Sequence, residues 1–235
     1  MTEPPEQTDP HGVAGVADAG AFLARLVRLD RSALVRVRSS PGRVGLWARL
    51  PWTVLVTRTV AGAGPGDATV AATDLLAELG RGGGALPRRR DADWRWPLPP
   101  SAGEVVETLA GAELRNIATA AAGALRSAEA GGVGGRAVGQ RAVRDALLDH
   151  VAVVVTVPGG GRIEVSQRLV QAVVRMGFLG TEEAGGPVGK PAAGPDRVQV
   201  RVAGRWIGLC APFGTAWSLI VNHLALKTPS RHPNG

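Results

Sequence analysis

Gln167, Arg168, Gln171 and Arg175 fall three or four residues apart, in a segment whose apolar residues Val165, Leu169, Val173 and Met176 repeat at the same interval. A helix over 164–176 carries these two sets on opposite faces. Arginine and glutamine side chains pair two donors, or a donor and an acceptor, in the geometry of guanine and adenine edges, so the polar face has the chemistry of a nucleic-acid reader. The same pattern also describes an amphipathic helix packed on a sheet with its Arg/Gln side in water. Arg197, Arg201 and Arg205 lie in and beside two runs, 198–202 and 206–211, that read as a β-hairpin. Guanidiniums there suit phosphates, which position a protein without reading sequence.

Trp94 and Trp96 stand in a Pro-flanked stretch beside Arg88, Arg89, Arg90 and Arg95. Aromatic residues interleaved with arginines suit stacking on bases or a protein partner. The alternative is that both indoles pin this stretch to the body of the protein. Trp47, Trp52, Trp206 and Trp217 fall on or next to strand patterns and read as packing residues.

The signatures of common catalytic sites are missing. Gly189-Lys190 is followed by Pro191, and Ala184 stands where a phosphate loop needs its first glycine. Gly62 and Gly64 begin a dinucleotide-type pattern that Asp67 breaks. Residues 131–139 are glycine-rich ahead of a helix and include Arg136, which suits an anion at a helix start or a simple hinge. There is no Gly-x-Ser-x-Gly. His11, His150, His223 and His232 are scattered and Cys210 is the single thiol, so neither a disulfide within the chain nor a thiolate metal site follows. The sequence therefore assigns no catalytic residue, no metal ligand and no cofactor.

The elements that must carry these residues follow from periodicity and punctuation. A helix runs over 19–29. Strands run over 34–38, 44–49 and 53–58, with Ser39-Ser-Pro-Gly42 as a turn and Pro51 at a corner. Asp67 is placed to cap a helix through Leu75, Leu76 and Leu79 that ends at Gly80. Ser101-Ala-Gly-Glu104 has the spacing of a capping box, predicting a helix to Leu109 and a second through Leu114, Ile117, Ala121 and Leu125. A helix over 137–149, a buried strand over 151–157, the 164–176 helix and the 197–211 hairpin complete the chain.

These elements group into an acidic disordered tail (1–18), an N-terminal α/β half (19–80), an Arg/Trp/Pro linker (81–100), a second half of helices and hairpin (101–222) and a final tail (223–235). The fold class is α/β or α+β: two similar halves, each with helices packed on a small, mainly antiparallel sheet. A faint repeat supports the pairing. Residues 34–38 and Gly45-Leu-Trp-Ala48 match 198–202 and Gly208-Leu-Cys-Ala211, each copy with a helix before it.

The 235 residues carry 45% hydrophobic and 20% charged side chains, a globular balance that excludes a coiled coil, collagen or a small disulfide scaffold. The net charge is +7, and all but Lys190 and Lys227 of the 27 basic residues are arginines. Glu3, Glu6, Asp9 and Asp18 stand alone in the first 18 residues, so the body is more basic than the whole. That charge suits an anionic partner. It also suits a GC-rich genome's codon bias and a solvated arginine surface. No run approaches the ~20 apolar residues of a membrane span, and no leader pattern precedes the first helix, so a cytoplasmic protein is expected.

Arg168-Leu-Val-Gln-Ala-Val-Val-Arg-Met-Gly-Phe-Leu179, followed by a hairpin, resembles the recognition helix and wing of winged-helix DNA-binding domains, with one helix where that family has two. The segments Phe22 to Asp30, Leu50 to Arg58, Arg144 to His150 and Arg168 to Leu179 resemble uncharacterised proteins of high-GC actinobacteria. The resulting expectation is a non-catalytic regulatory or binding protein that engages nucleic acid through helix 164–176 and the 197–211 hairpin. A protein–protein adaptor is the second reading, and an enzyme with a site between the halves the third. The sequence assigns no oligomeric state.

Overall fold

The structure, a computed structural model, describes residues 9–131, 140–156, 161–180 and 196–220. The glycine-rich 132–139 stretch and residues 1–8, 157–160, 181–195 and 221–235 lie outside them.

Eight strands form one sheet in which every neighbouring pair is antiparallel. Helix α1 (Val16–Leu29) precedes strands β1 (Leu34–Ser40), β2 (Arg43–Arg49), β3 (Leu55–Ala61) and β4 (Asp67–Ala71), and α2 (Ala72–Gly80) follows. The second half begins with β5 (Glu104–Ala110) and α3 (Gly111–Gly131). Next come α4 (Gln140–Asp149), β6 (Val151–Thr156), β7 (Arg162–Ser166) and α5 (Gln167–Arg175). It ends with β8 (Arg197–Ala203), β9 (Trp206–Ala211) and β10 (Gly214–Leu219). The sheet order is β4-β1-β2-β3-β10-β9-β8-β5, while β6 and β7 pair separately.

That order has a local two-fold at its centre, where β3 meets β10 with Val56 opposite Ala216. On one side α1 leads into β1-β2-β3 and α2 follows the edge strand β4. On the other, α5 leads into β8-β9-β10 and α3 follows the edge strand β5. The expectation of two similar halves holds, and the two small sheets join into one continuous sheet. The ladders set the correspondence, with Val35 opposite Ala48 and Val200 opposite Leu209.

Alternation sorts the sheet residues to two faces. Val35, Val37, Val44, Leu46, Ala48, Val56, Val198, Val200 and Leu209 point to one side, where Phe22, Leu23 and Leu26 of α1, Leu75 of α2, Leu114 of α3 and Leu169 and Val173 of α5 cover them in one buried core. These four helices therefore form a single layer. At the seam between the halves, Phe22 and Phe178 stack with parallel rings 6.4 Å apart.

The opposite face is covered by the linker. After α2 the chain turns around β4, where the Thr69 amide donates to Asp91 Oδ1 at 2.6 Å and the Arg90 amide to the Thr69 carbonyl. It then crosses the sheet to β5. Trp94 and Leu98 pack on Leu55, Ala203, Trp206, Trp217 and Trp47 as a second small core. Gly208 is required there: a Cβ would lie 2.5 Å from the Trp217 ring that covers it. The β1–β2 turn needs Gly42, at φ +68°.

Several expected boundaries are corrected. Asp67 opens the edge strand β4 and caps no helix; α2 begins five residues later, straight out of the strand. The Ser101–Glu104 spacing leads into strand β5, whose Thr108 and Leu109 lie opposite Gln199 and Val198, so the helix expected to Leu109 is absent. Helix α3 starts after it, its first amides capped from a distance by Asp196: Ala112 N–H donates to Asp196 Oδ2 at 2.8 Å. The helix expected over 164–176 is split. Residues 162–166 form β7 and α5 spans 167–175, because Val165 is drawn into the ladder opposite Val153. The strand expected over 151–157 is only half-buried, with Val154 exposed. Within the expected disordered tail, residues 9–18 are held. His11 is buried, accepting the Val13 amide at Nδ1 (3.0 Å) and bonded through Nε2 to the Gly83 carbonyl (2.9 Å).

Candidate nucleic-acid interface

The helix layer is the broad face that the linker leaves free, and its exposed residues decide what it meets. On α1 these are Val16, Ala17, Asp18, Ala21, Ala24 and Arg28; on α2, Asp74 and Ala77; on α3, Ala112, Glu113, Asn116, Thr119, Ala120, Ala124, Arg126 and Ser127; on α5, Arg175; and α4, beside the layer, adds Arg144, Asp145, Ala146 and Asp149. Small residues between arginines let a rigid partner approach the helix backbones. Arg28, Arg126, Arg144 and Arg175 form no ion pair among the described residues. An exposed, unpaired guanidinium keeps its full charge and donors for an anion.

The sequence-assigned helix residues take different roles here. Gln167 is 3% exposed, at the floor of a cleft between α3, α4 and α5. Arg168 is tied twice: Nε to Asp149 Oδ1 at 2.6 Å and Nη1 to the Trp52 carbonyl at 3.1 Å. The Arg168 hydrogen bond is the main reason the Asp149 carboxyl is held below the usual carboxylate range, against the opposing effect of partial burial. Gln171 donates to the Ala118 carbonyl of α3. Arg175 lies over the Trp52 ring, 5.6 Å from its centre, and keeps an exposed face. Of this set, Arg175 is the residue most open to a partner.

The hairpin arginines are elsewhere. Val198 and Val200 face the helices, so Arg201 points to the linker face, where it donates to Gln199 Oε1 at 2.9 Å. Arg197 is exposed on the same alternation, and Arg205 is exposed in the β8–β9 turn. The structure thus brings the α5 residues together around one cleft and sets Arg201 on the opposite face of the sheet.

Trp94 and Trp96 hold the linker. The Trp94 indole donates to the Trp96 carbonyl at 2.7 Å and lies under Arg36, whereas Trp96 stacks on Arg49 at 3.8 Å and stays 38% exposed. Burial lowers the Arg49 pKa, and its Nε meets no acceptor among the described residues. Most arginines around the linker are engaged: Arg36 and Arg38 with Asp67, Arg89 with Asp91, Arg90 with Asp93. The Arg36 hydrogen bond holds the Asp67 carboxyl below its ordinary range.

Sequence reasoning missed Arg28 and Arg126 as members of one surface. The helical spacing of each was legible, but the fact that α1 and α3 share a layer was not. No cluster of metal-ligating side chains occurs among the described residues, and no helix there is long and apolar enough to cross a membrane.

Two family models match the chain: a domain of unknown function, DUF8010, over residues 8–97, and a second, DUF8185, over residues 98–220. No curated protein matches. Among solved structures, a DNA polymerase sliding clamp from Pseudomonas aeruginosa is similar at TM-score 0.52 and 14% identity, over 96% of this chain and 68% of that one. The DNA polymerase III β subunit from Thermotoga maritima gives 0.51 and 11%, covering 92% of this chain and 64% of that one. The β subunit of a Streptococcus pyogenes DNA polymerase gives 0.53 and 10%, covering 87% and 62%. At these identities the likeness is one of fold. This chain spans about two thirds of the clamp chains it resembles.

These findings correct the resemblances drawn from sequence. The hairpin expected as a wing, β8–β9, is an internal part of an eight-stranded sheet, between β10 and the edge strand β5, and α5 packs on that sheet with Gln167 buried, so the arrangement is clamp-like and not winged-helix. The resemblance to uncharacterised actinobacterial proteins gives way to the two matched families of unknown function, and the matches do not show that source.

Proposed function

We propose, from the premise that the chain belongs to the DUF8185 family, that it is a non-catalytic scaffold whose helix layer lies against duplex DNA in the cytoplasm. The observation that carries this reading is the set of unpaired guanidiniums, Arg28, Arg126, Arg144 and Arg175, gathered on the helix side of a fold shared with DNA polymerase sliding clamps. The linker strapped across the other face leaves this layer open. Four arginines spread over four helices suit phosphates at several points along a duplex, and the exposed carboxylates Asp18, Glu113, Asp145 and Asp149 on the same helices confine the contact to those points. They have no arrangement for reading bases, so binding follows charge and shape rather than sequence.

A protein partner on the linker side is the second reading, favoured by the exposed Trp96 ring and its Arg49 support. The two faces are independent, and a scaffold that holds DNA on one and protein on the other uses both.

The test is fluorescence anisotropy of the full chain with labelled duplex DNA from low to physiological salt. The reading expects binding of unrelated sequences with equal affinity and a linear fall of log K with log salt, about 0.9 per neutralised phosphate. No binding at low salt contradicts it.

A further inference from the structure

Two arginine–tryptophan stacks lie on the linker face, and they differ in one partner. Arg36 lies over Trp94, its guanidinium carbon 5.9 Å from the ring centre. Asp67 completes that stack: Arg36 Nε donates to Asp67 Oδ1 at 2.7 Å and Nη2 to Oδ2 at 2.8 Å, a two-point fit of guanidinium to carboxylate. Arg49 lies closer to its ring, 3.8 Å from the centre of Trp96, and is half-buried. It forms no ion pair among the described residues, and its enclosed Nε meets no acceptor there. The hydrogen bond to Asp67 raises the Arg36 pKa, whereas burial lowers that of Arg49. A cation withdrawn from water without a counter-charge is unfavourable, and an indole face offsets only part of that. The carboxylates on this side are spent: Asp67 on Arg36 and Arg38, Asp91 on Arg89, Asp93 on Arg90.

Trp96 is an anchor as well as a cover. Its ring stays 38% exposed with Arg49 on one side, and the Trp94 indole holds its carbonyl at 2.7 Å. An indole placed in advance loses little freedom when a partner docks on it, and tryptophan and arginine are the side chains that most often dominate interface energies.

We infer that Trp96 and Arg49 form the docking point for an acidic protein segment. A glutamate or aspartate of the partner gives Arg49 the two-point contact that Asp67 gives Arg36, through the guanidinium nitrogens other than Nε. An apolar side chain beside it lies on the open part of the Trp96 ring. This rests on the second reading above, a protein partner on the linker side, and supplies that partner's chemistry. A single guanidinium held under an indole is reached by a slender carboxylate side chain, whereas a backbone phosphate flanked by two sugars is too broad. Arg49 takes no part in the duplex contact of the helix layer.

Fluorescence anisotropy of the full chain with a labelled peptide, Glu-Phe-Glu-Phe-Glu, tests this, with Gln-Phe-Gln-Phe-Gln as its uncharged match. The expected result is saturable binding of the acidic peptide, at least about tenfold weaker for the glutamine peptide. Arg49→Met keeps an apolar stem under the ring and removes the charge. Trp96→Ala removes the anchor and leaves the second core in place. Each should weaken the acidic peptide at least about tenfold, with a cooperative melt and duplex binding like the wild type's. Arg95→Ser, at an exposed position beside Trp96, should change it by less than about threefold. Equal binding by Arg49→Met overturns the inference, and so does equal weakening by Arg95→Ser, which reduces the contact to net charge. Equal binding of the glutamine peptide overturns it but leaves the second reading standing, because Trp96 then holds a partner without the charge. Binding of neither peptide removes both. Displacement of the acidic peptide by oligothymidine gives the site to single-stranded nucleic acid and overturns the inference as well.

Discussion

Trp52 and Arg168, 116 residues apart, bind each other reciprocally: the Trp52 indole donates to the Arg168 carbonyl at 3.2 Å, and Arg168 Nη1 donates to the Trp52 carbonyl at 3.1 Å. Trp52 stands at the β2–β3 corner of the first half and Arg168 in the first turn of α5 in the second. The pair is a tie between halves on the helix side, where the Phe22–Phe178 stack is another. It also sets Trp52 under Arg175. Replacing Trp52 with Phe keeps the ring and removes one hydrogen bond, so unfolding in urea should show a loss of about 1 kcal/mol. Combined with Arg168→Met, the two losses should be less than additive, since the substitutions break the same tie. Full additivity would show that the two residues act independently.

The Asp149–Arg168 pair gives this tie a pH dependence. The carboxyl is depressed in the folded protein, so its contribution is present above the unfolded pKa, about 3.9, and is lost as pH falls through the depressed folded value. Asp149 is mostly exposed, so the effect is small. Melting temperatures of wild type and Asp149→Asn should differ at pH 7 and converge in the acid range below pH ~4. A gap that persists at low pH assigns Asp149 a role other than its charge.

Gly208 lies opposite Trp217 across the β9–β10 ladder, and the ring fills the space a side chain would need. Gly208→Ala should destabilise by about 1–3 kcal/mol, because the ring must move off Leu55 and Trp206. Near-ultraviolet circular dichroism should change with it, since the tryptophan environment is the part displaced. An unchanged spectrum and stability would place Trp217 elsewhere.

The two linker tryptophans should separate in the same assay. Trp94 packs into the second core and donates within the linker, so Trp94→Ala should lower stability by about 2 kcal/mol. Trp96 stacks on Arg49, stays 38% exposed and has no place in the second core, so Trp96→Ala should lose about 1 kcal/mol or less. A larger loss for Trp96 would reverse their structural roles.

The strands easiest to read in the sequence are those with clean alternation and a turn between them, such as Val35, Val37, Val44 and Leu46 around Pro41-Gly42. The edge strands were hidden by their junctions. Asp67-Ala-Thr-Val-Ala71 and Glu104 to Ala110 run into helices without a turn residue, and an acidic or hydroxyl residue at the start imitates a cap. Val165 has helical spacing to Leu169, and only the ladder with Val153 reveals it as strand. The site was legible as residue types: Gln167, Arg168, Gln171 and Arg175 do share a neighbourhood. Their roles were not, because burial of Gln167 and the bonding of Arg168 depend on α4 and on Trp52 from the other half. The route of the linker, which decides which face is free, depends on packing between residues as distant as Trp94 and Trp217.

The central claim is that the helix layer, and not the linker face, meets DNA. The most direct measurement compares the salt dependence of duplex binding for wild type, for Arg28→Ser with Arg126→Ser, and for Arg88→Ser with Arg95→Ser, two exposed arginines of the linker. The helix-layer variant should bind more weakly, with a log–log slope reduced by about 0.9 for each phosphate that is no longer neutralised, while the linker variant follows the wild type. Equal weakening in both variants would reduce the interaction to net charge, and weakening confined to the linker variant would move the DNA to the other face.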